Sequence, residues 1–240
     1  MNNLSVIVPA YNEERSLKNI IEELVSVLDH VPLKYEIIIV DDGSKDATPK
    51  IADILSKRFK FVRTVHHNFN IGYGGAQKTG FRAAKYDLVT IVPSDDQFNV
   101  RDIKKYFPLM KENVDAVLGV RVNRNDPLFR KINTRLYNLI LNIFFGLKLR
   151  DVNWVKMIRR KYLVDMDINS KGICVDAEVI IKLKDKKCRF KEVEVGYYKR
   201  KYGNAASTSF LSILITLTEL MDLWIDLFIK KGIKSGPNNK

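Results

Sequence analysis

Short runs rich in β-branched residues alternate with helical patterns in the first half of the chain, and this alternation restricts the fold more than any other feature. Each run is largely apolar, which is typical of strands buried on both faces of a parallel sheet. The predicted strands cover residues 4–8, 36–40, 61–65, 88–92 and 116–120. Since helical segments connect them, the sequence predicts an α/β fold with a mostly parallel central sheet and helices on both faces.

The clearest helical pattern follows Asn12, which we predict to be its N-cap. Apolar residues recur there at three- and four-residue spacings, namely at Leu17, Ile20, Ile21, Leu24, Val25 and Leu28. A second helix is predicted to start within residues 46–49, where Pro49 suits a first turn. Residues 75–85 and 102–111 are predicted to form two more helices.

Three loops that follow predicted strands carry acidic residues or glycines. They read Asp-Asp-Gly-Ser at 41–44, Gly-Tyr-Gly-Gly at 72–75 and Ser-Asp-Asp-Gln at 94–97. Acidic groups can bind a base, a ribose or a divalent ion, and glycines allow backbone N–H groups to approach phosphate. Because open α/β sheets bind ligands at the carboxyl ends of their strands, these loops predict a nucleotide-diphosphate site. A dehydrogenase is disfavoured because position 77 is Gln, which breaks the Gly-x-Gly-x-x-Gly pattern.

The formal net charge is +13, and much of it is concentrated in residues 121–160, which contain ten basic and two acidic side chains. A solvated basic face is one interpretation. The position beyond the nucleotide loops favours another, an entry site for an anionic acceptor, since Arg binds phosphate through paired donors. Nucleic acid is not expected as a partner, because no nucleic-acid-reading module is recognised and the acidic loops would repel its backbone.

The remaining single-residue signals are weaker. Cys174 and Cys188 lack metal-ligand spacing and are predicted to be buried thiols rather than a disulfide. His66 and His67 close the third predicted strand and are expected at the edge of the site. No leading segment has the pattern of a signal peptide, so we expect the chain to begin in the cytoplasm.

Two motifs together are specific. Residues 8–13 read Val-Pro-Ala-Tyr-Asn-Glu, and residues 40–48 contain Val-Asp-Asp-Gly-Ser followed by Asp46 and Thr48. They resemble the opening motif and the nucleotide-binding signature of family-2 glycosyltransferases with the GT-A fold, in particular the dolichol-phosphate mannosyltransferase-like branch that acts on polyprenyl phosphates. The resemblance extends over roughly residues 4–205, through the glycine loop at 70–76, the Gly-x-Arg strand at 119–121 and Arg-x-x-Gly at 200–203.

The resemblance implies a role for each matching residue. The nucleotide-sugar donor would be bound by Pro9, Tyr11, Glu13, Asp41, Asp42, Gly72, Gly74, Gly75 and Asp95. The lipid-phosphate acceptor would be bound by Arg121, Arg130, Thr134 and Arg200. The catalytic residues would be Asp95, Asp151, Arg121, Arg130 and Arg200.

The same resemblance implies a Mg²⁺ or Mn²⁺ cofactor held by Asp95, Asp96 and Gln97. Pro93 stands where the family's first aspartate is expected, and Asp96 is an added carboxylate that can substitute. A metal that bridges a diphosphate needs only one or two protein carboxylates, because phosphate and water complete its shell. The alternative is that Asp95 and Asp96 only cap the following turn.

The implied reaction is inverting transfer of a sugar from a nucleotide donor to a polyprenyl or dolichyl phosphate. A UDP-sugar donor is preferred over a GDP-sugar donor, and this preference comes from the family resemblance alone. An anionic acceptor needs no strong general base. A saccharide acceptor, as in surface-polysaccharide assembly, would need one, and the candidates are Asp151, Asp176 and Glu178. For Asp176 and Glu178, a solvated position at a helix start is expected at least as strongly as a catalytic role. A non-catalytic nucleotide-sugar-binding protein is the third hypothesis, motivated by Pro93.

The C-terminal stretch predicts an amphipathic helix. A single polar stripe runs along an otherwise apolar segment, at Thr208, Ser212, Thr216, Glu219, Asp222, Asp226 and Lys230. Its carboxylates disfavour a membrane span, which leaves an interfacial helix or packing against the catalytic domain or a second copy in a homodimer. We therefore predict a catalytic domain at 1–205, this helix at 206–233 and a disordered tail at 234–240, with the protein peripheral on the inner face of the cell membrane.

Overall fold

A seven-stranded sheet forms the centre of the computed structural model, which describes residues 3–122, 128–172, 174–198 and 210–230. The strand order is β3-β2-β1-β4-β6-β5-β7. The strands are β1 Leu4–Ala10, β2 Tyr35–Asp41, β3 Val62–His66, β4 Leu88–Ile91, β5 Ala116–Val122, β6 Lys156–Arg159 and β7 Phe190–Gly196. All ladders are parallel except the two made by β6, which runs antiparallel to β4 and β5. The prediction of a mostly parallel α/β sheet is thus confirmed.

Helices cover both faces of this sheet. They are α1 Leu17–Leu28, α2 Thr48–Arg58, α3 Tyr73–Ala83, α4 Leu128–Phe145, α5 Val175–Asp185 and α6 Phe210–Trp224, which continues as a π-helical segment at Ile225–Lys230. The prediction of Asn12 as the N-cap of α1 is wrong, because Ser16 occupies that position. Asn12 instead has φ 55° and accepts a hydrogen bond from the N–H of Lys45, which ties the segment after β1 to the segment after β2.

The prediction of a helix at residues 102–111 is also wrong. The chain forms two short 3₁₀ segments there, Val100–Lys105 and Phe107–Leu109. Pro108 explains the difference, since proline lacks an N–H and its ring clashes with the carbonyl four residues earlier in an α-helix. The 3₁₀ geometry tolerates only such short runs.

Side chains from alternate positions of each strand fill two apolar clusters, one on each face of the sheet. In β2, Ile37 and Ile39 join one cluster while Ile38 and Val40 join the other. This is the period of two expected for a strand buried on both faces. The first cluster packs against α1 and α2, and the second packs against α3, α4, α5 and α6. The sheet is therefore held rigidly, and the loops at its carboxyl edge start from fixed strand ends.

Helix α6 packs against the domain, which was one of its predicted alternatives. Leu220 and Leu223 are buried in the second cluster, while Ile215, Met221 and Trp224 remain exposed. Across the residues that the structure describes, no helix combines the length and hydropathy needed to cross a bilayer. The predicted tail at 234–240 and the boundary at 205–206 lie outside the described residues. Cys174 and Cys188 are free and buried, as predicted.

Candidate functional site

The first loop begins at the carboxyl end of β2 with two buried carboxylates, Asp41 and Asp42. The N–H of Ser44 donates to Asp41 Oδ1 at 3.1 Å, which closes a turn around Gly43. Gly43 has φ +69°, and a Cβ there would lie 2.5 Å from the backbone carbon of Phe69. Glycine is thus required, because the turn is left-handed and the next loop packs directly against it.

An open cleft of about 630 Å³ lies beside this turn. Its walls include Tyr11, Asp41, Lys45, His66 and Phe69. The volume falls within the range of small-molecule sites, and the mixture of aromatic, carboxylate and ammonium groups suits a nucleoside. The structure therefore brings the predicted residues Tyr11 and Asp41 into one cleft.

The carboxylate of Asp42 organises the glycine loop. It accepts hydrogen bonds from the N–H groups of Ile71 and Gly72, at 3.0 and 2.9 Å, and lies 2.7 Å from His67 Nδ1. The N–H of Gly74 donates to the carbonyl of Lys171. The N–H groups of Gly72 and Gly74, which we expected to meet phosphate, are thus engaged within the protein.

Glycine is nevertheless needed at position 74. A Cβ there would lie 2.1 Å from the carbonyl oxygen of Ser170. The backbone at Gly74 is closely approached, as the sequence predicts. The group that approaches it belongs to the segment before α5 and not to a ligand. Consequently the glycine loop and residues 170–171 form one packed unit at the edge of the sheet.

Two other predicted donor-site residues support the framework. The carbonyl of Pro9, in β1, accepts from Ser94 Oγ at 2.8 Å, which joins β1 to the third loop. The carboxylate of Glu13 accepts from Ser16 Oγ at 2.8 Å at the start of α1. The N–H of Glu13 donates to Thr48 Oγ1 at 2.8 Å, and this contact links the starts of α1 and α2.

The third loop carries the predicted metal ligands Asp95, Asp96 and Gln97 after β4. Asp95 Oδ1 accepts from the N–H of Gln97 at 3.2 Å, as the turn-cap alternative expects. Gln97 Nε2 donates to Tyr197 Oη at 3.0 Å, which leaves the amide oxygen as an acceptor. Within the described parts of the chain, no group of three or more Asp, Glu, His or Cys side chains could hold a metal ion. The oxygen donors of this loop fit a hard cation that also uses phosphate and water.

Arg121 and Asp151, both predicted catalytic residues, are paired with each other. Arg121 Nε and a terminal guanidinium nitrogen donate to the two oxygens of Asp151, at 2.7 and 2.9 Å. The guanidinium also lies 4.7 Å from the ring centre of Trp154 and 5.7 Å from that of Tyr197. The pair is nearly buried, so Asp151 is committed to holding Arg121 in a fixed orientation.

Asp176 and Glu178 lie in the first turn of α5, as predicted, but the expectation that they are solvated is wrong. Asp176 is 8% exposed and contacts Lys156 Nζ at 2.5 Å. Glu178 is 1% exposed and accepts from the N–H groups of Asn169 and Ser170. Burial alone would raise the pKa of Glu178, but the hydrogen bond from Lys182 and those N–H groups lower it. Both carboxylates are therefore buried in hydrogen-bonded networks.

The predicted acceptor residues beyond β5 are only partly visible. Arg130 and Thr134 lie one turn apart on α4, and Thr134 is half-buried. The side chain of Arg130 and the whole of Arg200 lie outside the described residues. The structure thus places Arg130 in the first turn of α4 but does not describe its contacts.

Comparison with known proteins fits this geometry. The family model for glycosyl transferase family 2 matches residues 5–177. The chain belongs to this family. The family-2 chain is 28% identical over 224 residues to undecaprenyl-phosphate 4-deoxy-4-formamido-L-arabinose transferase of Proteus mirabilis, an alignment that covers 92% of this chain and 67% of that protein. The Aeromonas hydrophila protein of the same name is 30% identical over 205 residues, with 84% and 62% covered. This chain spans about two thirds of these relatives.

The family-2 chain is also similar to a solved structure. Glucosyl-3-phosphoglycerate synthase of Mycobacterium tuberculosis, crystallised with Mg²⁺ and UDP, superimposes with a TM-score of 0.71 at 19% identity, covering 92% of this chain and 79% of that one. At this identity the likeness shows the fold, which is the predicted GT-A fold. The chain is a glycosyltransferase, as its motifs predicted.

Sequence reasoning did not assign three residues that contact members of this candidate site. Asp53 on α2 contacts His66, Tyr197 holds Gln97, and Lys156 at the start of β6 pairs with Asp176. Each of these residues reaches the site through a contact with a residue distant in sequence, so no local sequence spacing predicts its role.

Proposed function

We propose that this glycosyltransferase transfers a sugar, with inversion, from a nucleoside-diphosphate sugar, UDP preferred, to a polyprenyl phosphate. The observation that carries the proposal is that each of the three candidate general bases forms an ion pair with a basic side chain. Asp151 pairs with Arg121, Asp176 with Lys156, and Glu178 with Lys182. An acceptor that is already anionic needs no such base, whereas a sugar hydroxyl does. The undecaprenyl-phosphate acceptor in the names of the relatives supports the same choice.

In the proposed reaction, an oxygen of the acceptor phosphate forms a bond to the anomeric carbon while the bond from that carbon to the donor's diphosphate breaks. The cleft beside Asp41 would hold the nucleoside. Arg121 is oriented by Asp151 and would help to position the acceptor phosphate with Arg130 and Arg200. A saccharide acceptor would require a carboxylate to leave its partner first.

A divalent cation is part of the proposal. Asp95, Asp96 and Gln97 would hold Mg²⁺ or Mn²⁺, and the ion would supply charge neutralisation for the leaving diphosphate. The solved synthase with the same fold was crystallised with Mg²⁺ or with Mn²⁺ together with UDP. Pro93 leaves two adjacent carboxylates for this role, which is enough for a metal that also binds phosphate.

The first test is sugar transfer into an organic-extractable product, with detergent-dispersed polyprenyl phosphate, a panel of UDP- and GDP-sugars, and Mn²⁺ or excess chelator. We expect product with one donor and its loss with chelator. Arg130→Ala should reduce transfer by about tenfold or more, because a charge-assisted contact to phosphate is worth about 1.5–3 kcal/mol. Arg135→Ala is the matched control, since Arg135 is exposed on the same helix.

The outcomes separate the hypotheses. Donor binding without a lipid product would exclude the lipid-phosphate acceptor and leave a saccharide acceptor or a non-catalytic binder. Equal losses for the two arginine variants would show that Arg130 has no specific role. Transfer that persists in chelator would remove the metal from the proposal.

We also propose that the enzyme docks on the inner face of the cell membrane through α4 and α6. These helices pack on the same apolar cluster and leave a row of apolar residues outside. Leu136, Leu139, Ile143 and Phe144 of α4 are each more than half exposed, and Met221 of α6 is 65% exposed. A row of this kind on helices that flank a lipid-phosphate site suits the membrane interface.

Co-sedimentation with phosphatidylglycerol vesicles tests this docking. Leu139→Asp combined with Ile143→Asp should lower the bound fraction by roughly tenfold, since burial of one large apolar side chain is worth about 1.5–3 kcal/mol. Ile54→Asp is the control, because Ile54 is similarly exposed (55%) on α2, against the other face of the sheet. If the double variant instead converts a dimer to a monomer in light scattering and leaves vesicle binding unchanged, the surface is a homodimer contact.

A further inference from the structure

His66 lies between two carboxylates at the carboxyl end of β3. Its Nδ1 is 2.8 Å from Asp41 Oδ2, and its Nε2 is 3.1 Å from Asp53 Oδ1. Asp41 comes from β2 and is 2% exposed, whereas Asp53 comes from α2 and its side chain is 56% exposed. The ring therefore bridges the sheet edge and a helix at the wall of the nucleotide cleft.

Only one protonation state satisfies both contacts. An ionised carboxylate accepts hydrogen bonds and donates none, and a neutral imidazole has one donor and one lone pair. With carboxylates at both ring nitrogens, the neutral form would point its lone pair at an oxygen anion. The imidazolium form donates to both. Burial alone would lower the pKa of His66, but the hydrogen bonds to Asp41 and Asp53 outweigh it and raise that pKa.

The neighbouring His67 provides an internal contrast. Its Nδ1 lies 2.7 Å from Asp42 Oδ1, but its Nε2 lies 2.9 Å from Thr79 Oγ1. A hydroxyl can donate as well as accept, so a neutral His67 satisfies both partners. Two adjacent histidines thus have similar surroundings, and only the geometry around His66 requires a positive charge.

We propose that His66 is a positioning residue of the nucleotide cleft, whose protonated form holds the Asp41 carboxylate in place to accept a hydrogen bond from the donor's base. The proposal rests on the proposed function, since it takes this cleft as the donor site. Asp41 Oδ1 accepts from Ser44 and Oδ2 faces His66. Each carboxylate oxygen can accept a second hydrogen bond, so the base can bind while both contacts persist.

The direction of the pH effect follows from the charges around the ring. The groups that face His66 are Asp41 from β2 and Asp53 from α2, while Lys45 and His67 line the same cleft. The positive charge of protonated His66 partly neutralises the negative charges of the two carboxylates, which would otherwise repel an anionic ligand in the cleft. Loss of the proton both removes this neutralisation and breaks one of the two hydrogen bonds. Donor affinity should therefore be highest while His66 is protonated and fall as pH rises through its raised pKa.

Calorimetric titration with UDP-glucose and GDP-mannose as probes tests this inference. Their diphosphates are esterified at both ends and do not titrate over the range needed, from about pH 5.5 to about pH 8.5, which brackets the ordinary histidine pKa of about 6.5. We expect affinity for the better probe to fall by about fivefold or more across this range. NMR titration of the ring signals, simple in a chain with three histidines, should show that bound nucleotide raises the pKa of His66 further.

Two variants complete the test. His66→Asn keeps a donor near Asp41 but cannot titrate, so its affinity should not depend on pH. His67→Gln leaves the contacts of His66 in place, so binding should still weaken as pH rises. A His66 pKa at or below the ordinary value, or pH-independent binding by the wild-type protein, would overturn the inference alone. Absence of binding by either probe at every pH would overturn the proposed donor site and this inference together.

Discussion

Replacement of Asp176 by alanine should lower the free energy of unfolding by about 3–5 kcal/mol, because it leaves a buried ammonium group without its partner. Lys156 is 2% exposed, and its Nζ lies 2.5 Å from Asp176 Oδ1. Gln77 Nε2 also donates to this oxygen, at 3.2 Å. The expected loss is a large share of the roughly 5–15 kcal/mol that holds a typical domain folded. Denaturant unfolding followed by circular dichroism would measure it.

The control for Asp176→Ala is a double variant that removes both charges of the Lys156–Asp176 pair. The double variant Lys156→Met with Asp176→Leu should unfold at a higher denaturant concentration than Asp176→Ala, because burial of two apolar groups avoids the unpaired charge. A single variant that loses less than about 1 kcal/mol would contradict the importance of the pair. Asp176→Asn addresses chemistry separately, since an amide preserves the shape but cannot act as a base. We expect the folded Asn variant to retain sugar transfer.

Replacement of Asp42 by alanine should cost about 2–5 kcal/mol of stability and abolish measurable donor binding. The carboxylate satisfies the N–H groups of Ile71 and Gly72 and contacts His67. A hydrogen bond from an N–H group to a carboxylate is worth about 1.5–3 kcal/mol, and the partial exposure of these two N–H groups reduces the loss. The glycine loop would lose its anchor to β2, so the wall of the cleft would no longer be fixed. Thermal unfolding and calorimetric titration with the donor would measure the two effects.

Two controls make the Asp42 prediction specific. Asp42→Asn can accept from one N–H but presents its amide hydrogens to another donor, so its loss should be intermediate. Asp167→Ala should change little, because the Asp167 side chain is 81% exposed. If Asp42→Ala loses donor affinity while its unfolding is unchanged, Asp42 contacts the ligand directly and does not act through the loop.

The sequence predicted the parts of the fold whose signal is local. The β-branched runs located β1 to β5 to within about two residues, and the spacing of Leu17, Ile20 and Ile21 located α1. The misplaced N-cap at Asn12 and the missing helix at 102–111 have local causes too, a left-handed turn and Pro108. Strand β6 was not predicted, because its four residues are too few to show an alternating pattern.

The sequence predicted which loops lie at the candidate site but not which residues contact one another there. The motif at 40–48 located Asp41 and Asp42 correctly at the carboxyl end of β2. That Asp42 holds the glycine loop, or that Arg121 pairs with Asp151, depends on residues 30 positions apart in sequence. Such pairs are set by tertiary packing, which no spacing rule encodes. The motifs therefore identify the chemistry, and the structure assigns the partners.

The place of β6 in the sheet has a consequence for how the chain reaches its native state. Within the part of the chain that the structure describes, strand β5 pairs with β6 and β7, which both follow it in sequence. During synthesis, β1 to β4 can pair with one another before β6 exists, while β5 emerges without a sheet partner. Chains of this size tend to fold in such units, and unpaired strand edges are prone to aggregation. We therefore expect β1 to β4 to assemble first, and β5 and β7 to join them only when β6 inserts between β4 and β5.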